Sequence, residues 1–341
     1  MSERNVTLRE VAKKAGVSIA TVSRVLNESN YVSPEIQKTV RAVVKELGYY
    51  QNSAARSLKT NSSMTVGFVT ADISNPYMIN VAGAVEDLIW DLKYSLVVCS
   101  THSSAERELE YLKLLMGRGI DGLLLNGTGS NADFISDISN RIPVVLLHRS
   151  YDNTGFIGDL VDSDNEDGVY ALTKHLIRIG HKRIFVVKGQ DVSNNKLRLA
   201  GFARAMREAG IDAGIHYPYL YGDDFTIETG YRAVEKLLGM EERATAILAL
   251  NNTLGLGVLQ GLAEHNLRAP EDISVAHYNS IDHHEMMLVR PMMHHVDPRE
   301  VGFTAGKALL ARMDNNKLAN RAYIVKGKLI PGNAVGMPLS M

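Results

Sequence analysis

The chain has 341 residues, 45% hydrophobic and 22% charged, an ordinary globular composition with room for two or three cored domains. One cysteine, Cys99, excludes an intramolecular disulfide, and its apolar surroundings point to a buried structural thiol. The opening MSERNVTLRE has no apolar signal-peptide core and no apolar run reaches membrane-spanning length, so a soluble, cytoplasmic protein without membrane contact is expected.

The net charge of −1 hides an asymmetry. Residues 1–60 carry ten Lys and Arg against five Asp and Glu, and the remainder carries 27 against 33. A small basic head on an acidic body is what phosphate contact requires, although a surplus of five also fits a solvated face.

The head reads as three helices. Thr7 to Glu10 has capping-box spacing, and Leu8, Val11, Ala12 and Ala15 form one apolar stripe up to Gly16. Ser18 caps a second helix from Ile19 to about Asn27, with Val22, Val25 and Leu26 inward. Ser33-Pro34 opens a third, which buries Ile36, Val40, Val43 and Leu47 and stops at Gly48. The first two helices, joined by a tight glycine-containing turn, predict a helix-turn-helix, with a protein-binding three-helix bundle as the alternative. In the DNA-binding reading Ile19 and Ala20 reach base edges, Thr21, Ser23 and Asn27 suit phosphates, and Arg24 suits a phosphate or a guanine. Thr7, Ser18 and Tyr31 are counted with them.

The segment NSAARSLKTNSS (52–63) reads as a helix of about two turns capped by Asn52, followed by a polar joint. Alone it is too short to hold in water, which leaves a structureless linker as the alternative.

At this point a resemblance carries the reading further. VA..AGVS..TVSRVLN, then VS, ELGY and N52-S-A-A-R-S-L58, resembles the lactose-repressor/galactose-repressor family of bacterial transcription regulators; Gln51 departs from the family's usual Pro. The resemblance implies that residues 52–63 form a hinge helix that folds when two copies pair over the minor groove. Ala55 would then allow close approach, and Leu58 would wedge into a base step. It implies a homodimer on a near-palindromic double-stranded DNA operator.

From Met64 onward apolar runs alternate with helical stretches. The runs are 65–70, 95–99, 122–125, 144–147, 157–161, 184–187, 217–221, 246–250 and 273–277. That alternation predicts an α/β body of two doubly wound parallel-sheet lobes with a cleft at the strand C-terminal edges. The phrases DISNPYM, RGIDGLLL, IPVVLLHR, IRIGHKRI, RLAGF and APEDISV extend the resemblance through the body, which looks like a periplasmic sugar-binding fold crossed three times by the chain. The expected division is 1–51 for the DNA-binding head, 52–63 for the hinge and 64–341 for the body. The first lobe takes 64–161 and 296–320, and the second takes 162–291 and 321–341.

Residues at strand ends are the expected ligand contacts: Asn75, Tyr77, Asn126, His148 and Arg149 from the first lobe, and Asp164, Arg198, Phe225, Asn251 and Asn279 from the second. Arg198 is expected to fork onto paired hydroxyls or a carboxylate, and the resemblance implies that Phe225 stacks on the ligand. The family commonly has Asp where this chain has His148, Asn252 and Asn279, and LTTV where it reads MMHHV. Fewer acceptors with the cations kept point to a phosphorylated or carboxylated sugar or a nucleoside, beside a neutral sugar bound through Asn amides.

Neither His283-His284 nor His294-His295 has metal-ligand spacing, so no metal or cofactor is expected. GLLLNGTGSN lacks a phosphate-loop Lys, and no nucleophile elbow appears. The expected function is a DNA-binding regulator, acting as a repressor and gated by a small effector. An α/β enzyme acting on a sugar-like ligand is the alternative. No leucine heptads follow the last strand, so a dimer rather than a tetramer is expected.

Overall fold

The computed structural model describes residues 6–27, 31–49, 62–151, 155–214 and 217–338. Asn52, Ala55 and Leu58, and with them the expected hinge helix, lie outside the described residues. The chain divides between Ser63 and Met64 into two units.

The first unit holds α1 (Leu8–Ala15), α2 (Ile19–Leu26) and α3 (Pro34–Leu47). α1 starts with the expected capping box: Thr7 Oγ1 accepts from Glu10 N at 3.3 Å and Thr7 N donates to Glu10 Oε2 at 2.7 Å. α1 and α3 end at Gly16 and Gly48, both in left-handed backbone. Val11, Ala12, Val22, Val25, Val32, Val40 and Val43 make the core. Ser33 departs from expectation: its side chain makes no cap bond, and Pro34 starts α3 through its fixed backbone alone.

The second unit is built on two six-stranded sheets. In the first, β1 (Thr65–Thr70), β2 (Ser95–Ser100), β3 (Gly122–Asn126), β4 (Val144–Leu147), β5 (Asp159–Ser163) and β11 (Ala322–Val325) lie in the order β11-β5-β4-β3-β1-β2, all parallel. The second has β6 (Ile184–Val187), β7 (Leu220–Tyr221), β8 (Ala246–Ala249), β9 (Ser274–Tyr278), β10 (Met292–His295) and β12 (Lys328–Ile330) in the order β12-β10-β9-β8-β6-β7, parallel except for β12. Central strands such as β3, β4, β6 and β8 are buried end to end, as parallel strands covered on both faces must be.

Around the first sheet lie α4 (Pro76–Trp90), α5 (Ala105–Gly117), α6 (Ala132–Ser139) and α11 (Pro298–Asp314). α7 (Asn165–Arg178), α8 (Ser193–Glu208), α9 (Ile227–Leu238) and α10 (Asn252–Glu264) serve the second. α7 and α8 pack closely because Gly201 has no Cβ; one there would collide with the Glu166 carbonyl. Among the described residues no helix is long and apolar enough to cross a membrane.

Three boundaries differ from the sequence reading. The run read as 157–161 is strand at Asp159–Ser163. Asp159 is buried in it because Arg312, from α11, donates to its carboxylate at 2.7 Å and Arg321 N donates at 2.8 Å. The run 217–221 is strand only at Leu220–Tyr221; at Tyr217 the phenol takes over, accepting from Ile184 N at 3.2 Å and donating to Ile184 O at 2.9 Å. The first lobe's share does not stop at 320. AYIVKGKLI (322–330), assigned to the second lobe, forms two strands: Ala322–Val325 pairs with β5 in the first sheet, and Lys328–Ile330 pairs with β10 in the second. The break falls at Gly327, whose N–H donates to Asp164 Oδ1 at 3.1 Å and whose missing Cβ leaves room for the His294 ring. The chain therefore crosses between lobes near Asp164, Val296 and Lys326.

Candidate functional site

In the first unit the start of α2 presents polar and apolar groups together. Ser18, Ile19, Ala20 and Arg24 are exposed, and Ile19 shows 43% of its surface. Ser18 Oγ accepts from Thr21 N at 3.0 Å and pairs with Thr21 Oγ1 at 2.9 Å. Asn27 Nδ2 closes on Ser23 O at 2.8 Å. These bonds hold the short side chains at fixed positions on the helix. Thr7 Oγ1 lies within its capping box, 3.0 Å from Glu10 Oε2, and Tyr31 is 88% exposed.

In the second unit nine of the ten expected ligand residues converge on one cleft of about 290 Å³ between the sheets: Asn75, Tyr77, Asn126, His148, Arg149, Arg198, Phe225, Asn251 and Asn279. Parallel strands bring this about, because the loops at their C-terminal ends open on the same side. Asp164 is the exception. Its Oδ1 accepts from His294 Nε2 at 2.9 Å and from Gly327 N at 3.1 Å, so it ties the three crossover segments together behind the cleft. Burial opposes ionisation of Asp164, but the bonds from His294 and Gly327 outweigh it and hold the carboxyl below its ordinary range.

Arg198, on α8, is not free to fork. Its Nε donates to Asn165 Oδ1 at 2.8 Å and Nη1 to Leu250 O at 2.7 Å, while the guanidinium lies 4.2 Å from the Tyr278 ring centre. Among the described residues Nη2 has no hydrogen-bond partner. Arg149 donates from Nη1 to Gly127 O at 2.5 Å and sits 5.7 Å from the Phe225 ring centre, so a first-lobe cation meets a second-lobe aromatic. Burial pulls Arg149 down to about 10, with Arg198 pushing the same way, so it stays charged at neutral pH. Burial also lowers Arg198 and raises Tyr77. Asn251 spends its Oδ1 on capping α10, accepting from Leu254 N at 2.8 Å, and Asn126 donates to Leu147 O at 3.0 Å.

Several buried polar atoms on the cleft wall have no protein partner: Tyr77 Oη, both His148 ring nitrogens, Arg149 Nε, Asn194 Oδ1 and Asn279 Oδ1. His148 Nδ1 is 3.5 Å from Asp162 Oδ1, close enough for an ion pair but not aligned as a hydrogen bond. That oxygen is already taken by Ser163 N at 2.7 Å and Asn165 Nδ2 at 2.8 Å. Such a wall can receive several hydrogen bonds from a small polar molecule.

The lobes also touch directly around the cleft. The amides of Asn75 and Asn252 exchange hydrogen bonds at 3.0 and 3.4 Å, Asn80 donates to Asp282 at 3.0 Å, and Ser150 N donates to Ser193 Oγ at 2.9 Å. Asn194, within α8, is also on the wall and escapes the strand-end rule, while Asp224 lies there beside Phe225 after β7. Asn194 had a signal: it precedes Arg198 by one helical turn and so shares its face. Among the described residues no three His, Cys, Asp or Glu side chains gather as a metal would need.

Comparison with known proteins identifies the family and the fold. Residues 7–52 match the family described as bacterial regulatory proteins, lacI family, and residues 173–335 match a periplasmic binding protein-like domain. The chain is similar to the HTH-type transcriptional repressor PurR of Aliivibrio salmonicida, 31% identical over 96% of this chain and 98% of that one. The PurR of Haemophilus influenzae strain PittEE is 34% identical over 81% of each. Among solved structures, the lac repressor dimer bound to operator and the anti-inducer ONPF has a TM-score of 0.83 at 25% identity, covering 98% of this chain and 100% of that one. A LacI family regulator from Enterococcus faecium with bound ribose has a TM-score of 0.72 at 25% identity, covering 81% and 100%.

Proposed function

The chain belongs to the lacI family of bacterial regulatory proteins and is a DNA-binding transcriptional regulator; on that premise we propose that a small polar effector, bound in the cleft, sets its grip on DNA. One observation carries the proposal: the cleft wall comes from both lobes, which also bond to each other beside it through Asn75 and Asn252. A ligand filling that space binds one lobe arrangement better than another, and that difference in affinity is what shifts a conformational equilibrium.

In this reading residues 1–51 are the reading head, with Ile19, Ala20 and Arg24 on bases and Thr7, Ser18, Thr21, Ser23, Asn27 and Tyr31 beside the backbone. Residues 52–63 are the hinge, and 64–341 hold the effector. Relatives crystallised with operator as a dimer and with ribose support a homodimer on a near-palindromic operator, repressing in the bacterial cytoplasm. The ligand is released unchanged; product accumulating on incubation would overturn the non-enzymatic reading. The direct test is fluorescence anisotropy of the full chain on a symmetric duplex selected from a random pool. A thermal-shift screen of sugars, phosphosugars and nucleosides supplies the ligands. An affinity change with a cleft-binding ligand is expected. Unchanged affinity with the cleft saturated sinks the gating.

A further inference from the structure

Two arginines carry positive charge into the cleft with no carboxylate in direct contact. Arg149 and Arg198 are 6% and 4% exposed. Among the described residues neither has a carboxylate oxygen within 4.0 Å; their partners are the Gly127 and Leu250 carbonyls, the Asn165 amide and two aromatic rings. Nearby carboxylates are engaged elsewhere. Glu108 accepts from Thr128 Oγ1 and Asn131 Nδ2, both at 3.0 Å, and Asp162 accepts from Ser163 and Asn165. Asp224 accepts from Phe225 N at 2.7 Å, and Asp72 from Ser74 N at 2.8 Å. Arg312 provides the contrast. It is fully buried away from the cleft, and Asp159 lies 2.7 Å from it. A structural arginine in this molecule is given its carboxylate, and the two cleft arginines are not. Buried charge is costly until a counter-charge arrives.

We propose that the effector is an oxyanion-bearing small molecule, whose carboxylate or phosphate is held by Arg149 and Arg198 while its other polar groups meet Tyr77, His148, Asn194 and Asn279. This rests on the cleft being the effector site and assigns the effector's charge.

The test uses the full chain, dialysed into a chloride buffer free of phosphate and carboxylates. Calorimetry compares ribose with ribose 5-phosphate, and glucose with gluconate and glucose 6-phosphate; the last two separate a carboxylate from a phosphate requirement. Charged members bind and their neutral partners do not. Arg149→Gln weakens the anion about ten- to hundredfold, the loss of a charge-assisted hydrogen bond. In the same buffer its melting temperature is no lower than the parent's, because the buried charge it removes has no carboxylate in contact. Arg312→Gln, which leaves the buried Asp159 carboxylate with the Arg321 N–H and without its ion-pair partner, melts well below both. Arg149→Lys keeps the charge and the preference for anions, and stands in if the glutamine variant does not fold. Silence of every anionic probe, equal binding of neutral partners, or an Arg149→Gln melt lowered as far as that of Arg312→Gln overturns the assignment. A neutral ligand that shifts operator affinity leaves the cleft reading intact while overturning the charge. Anions that need Arg149 but leave operator affinity unchanged do the reverse.

Discussion

His148 and Asn279 occupy the same place in the two lobes. Each directly follows a central strand, β4 or β9, and each has left-handed backbone, with φ of 61° and 64°. Each donates its N–H at 2.9 Å to the neighbouring strand, His148 to Val161 O and Asn279 to His294 O. The turn aims both side chains into the cleft. Left-handed backbone suits Asn and His better than branched residues. His148→Asn should therefore melt close to the parent, while His148→Val should lose at least about 1–2 kcal/mol from backbone strain. Thermal or urea unfolding of the two variants measures the difference.

Asn75 and Asn252 separate the lobe contact from helix capping. Asn75 Oδ1 caps α4 through Tyr77 N at 3.1 Å, whereas Asn252 contributes its amide to the contact across the cleft. Asn252→Ala should shift the lobe equilibrium by about 1 kcal/mol, roughly fivefold in effector affinity, with little change in the melt. Asn75→Ala should do both. Calorimetry and melts on the same samples distinguish them.

His277 makes the body acid-sensitive. It is fully buried on β9 and burial pulls its pKa from 6.5 to about 4, with His284 adding to the effect. The folded value lies below the unfolded one, so the stabilisation is complete above pH 6.5 and is lost as pH falls toward 4. This group alone should cost about 2 kcal/mol at pH 5 and about 3 kcal/mol at pH 4. His181, also lowered by burial between Thr245 and the Gly336 carbonyl, adds in the same direction. A pH series of urea melts should show a shallower acid slope for His277→Leu.

Asp164 should behave as a structural residue. Asp164→Ala strands His294 Nε2 and Gly327 N and should destabilise the body by about 2–4 kcal/mol, while ligand affinity at a permissive temperature stays near the parent's. An affinity loss at full stability would return Asp164 to the ligand.

At the head, Arg24→Ala should weaken operator binding by about 1–3 kcal/mol if it reads a base, with relaxed preference at one position of the half-site. Leu58→Ala should weaken operator binding while the body melts unchanged. Anisotropy titrations on matched duplexes check both; indifference to both changes would remove the reading head from α2 and the hinge.

Much of this architecture is legible in the sequence, and the reason is local. A parallel strand covered on both faces is an unbroken apolar run, so 122–125 and 144–147 announce themselves, and the residue that follows each run falls at the cleft. What stays hidden depends on partners far along the chain. Asp159 looks wrong for a buried strand until Arg312 is in place. Asp164 sits at a strand end like the ligand residues, and only the later His294 and Gly327 claim it. Arg198 reads as a free fork because Asn165 and the Leu250 carbonyl are remote in sequence.

The division of AYIVKGKLI between two sheets also bears on how the protein is made. β5 leaves the ribosome with an open edge, and its partner is synthesised only when translation reaches Ala322; β10 waits for Lys328. Neither sheet is complete until residues 322–330 have been made, so a product stopped before them exposes two unpaired edges together.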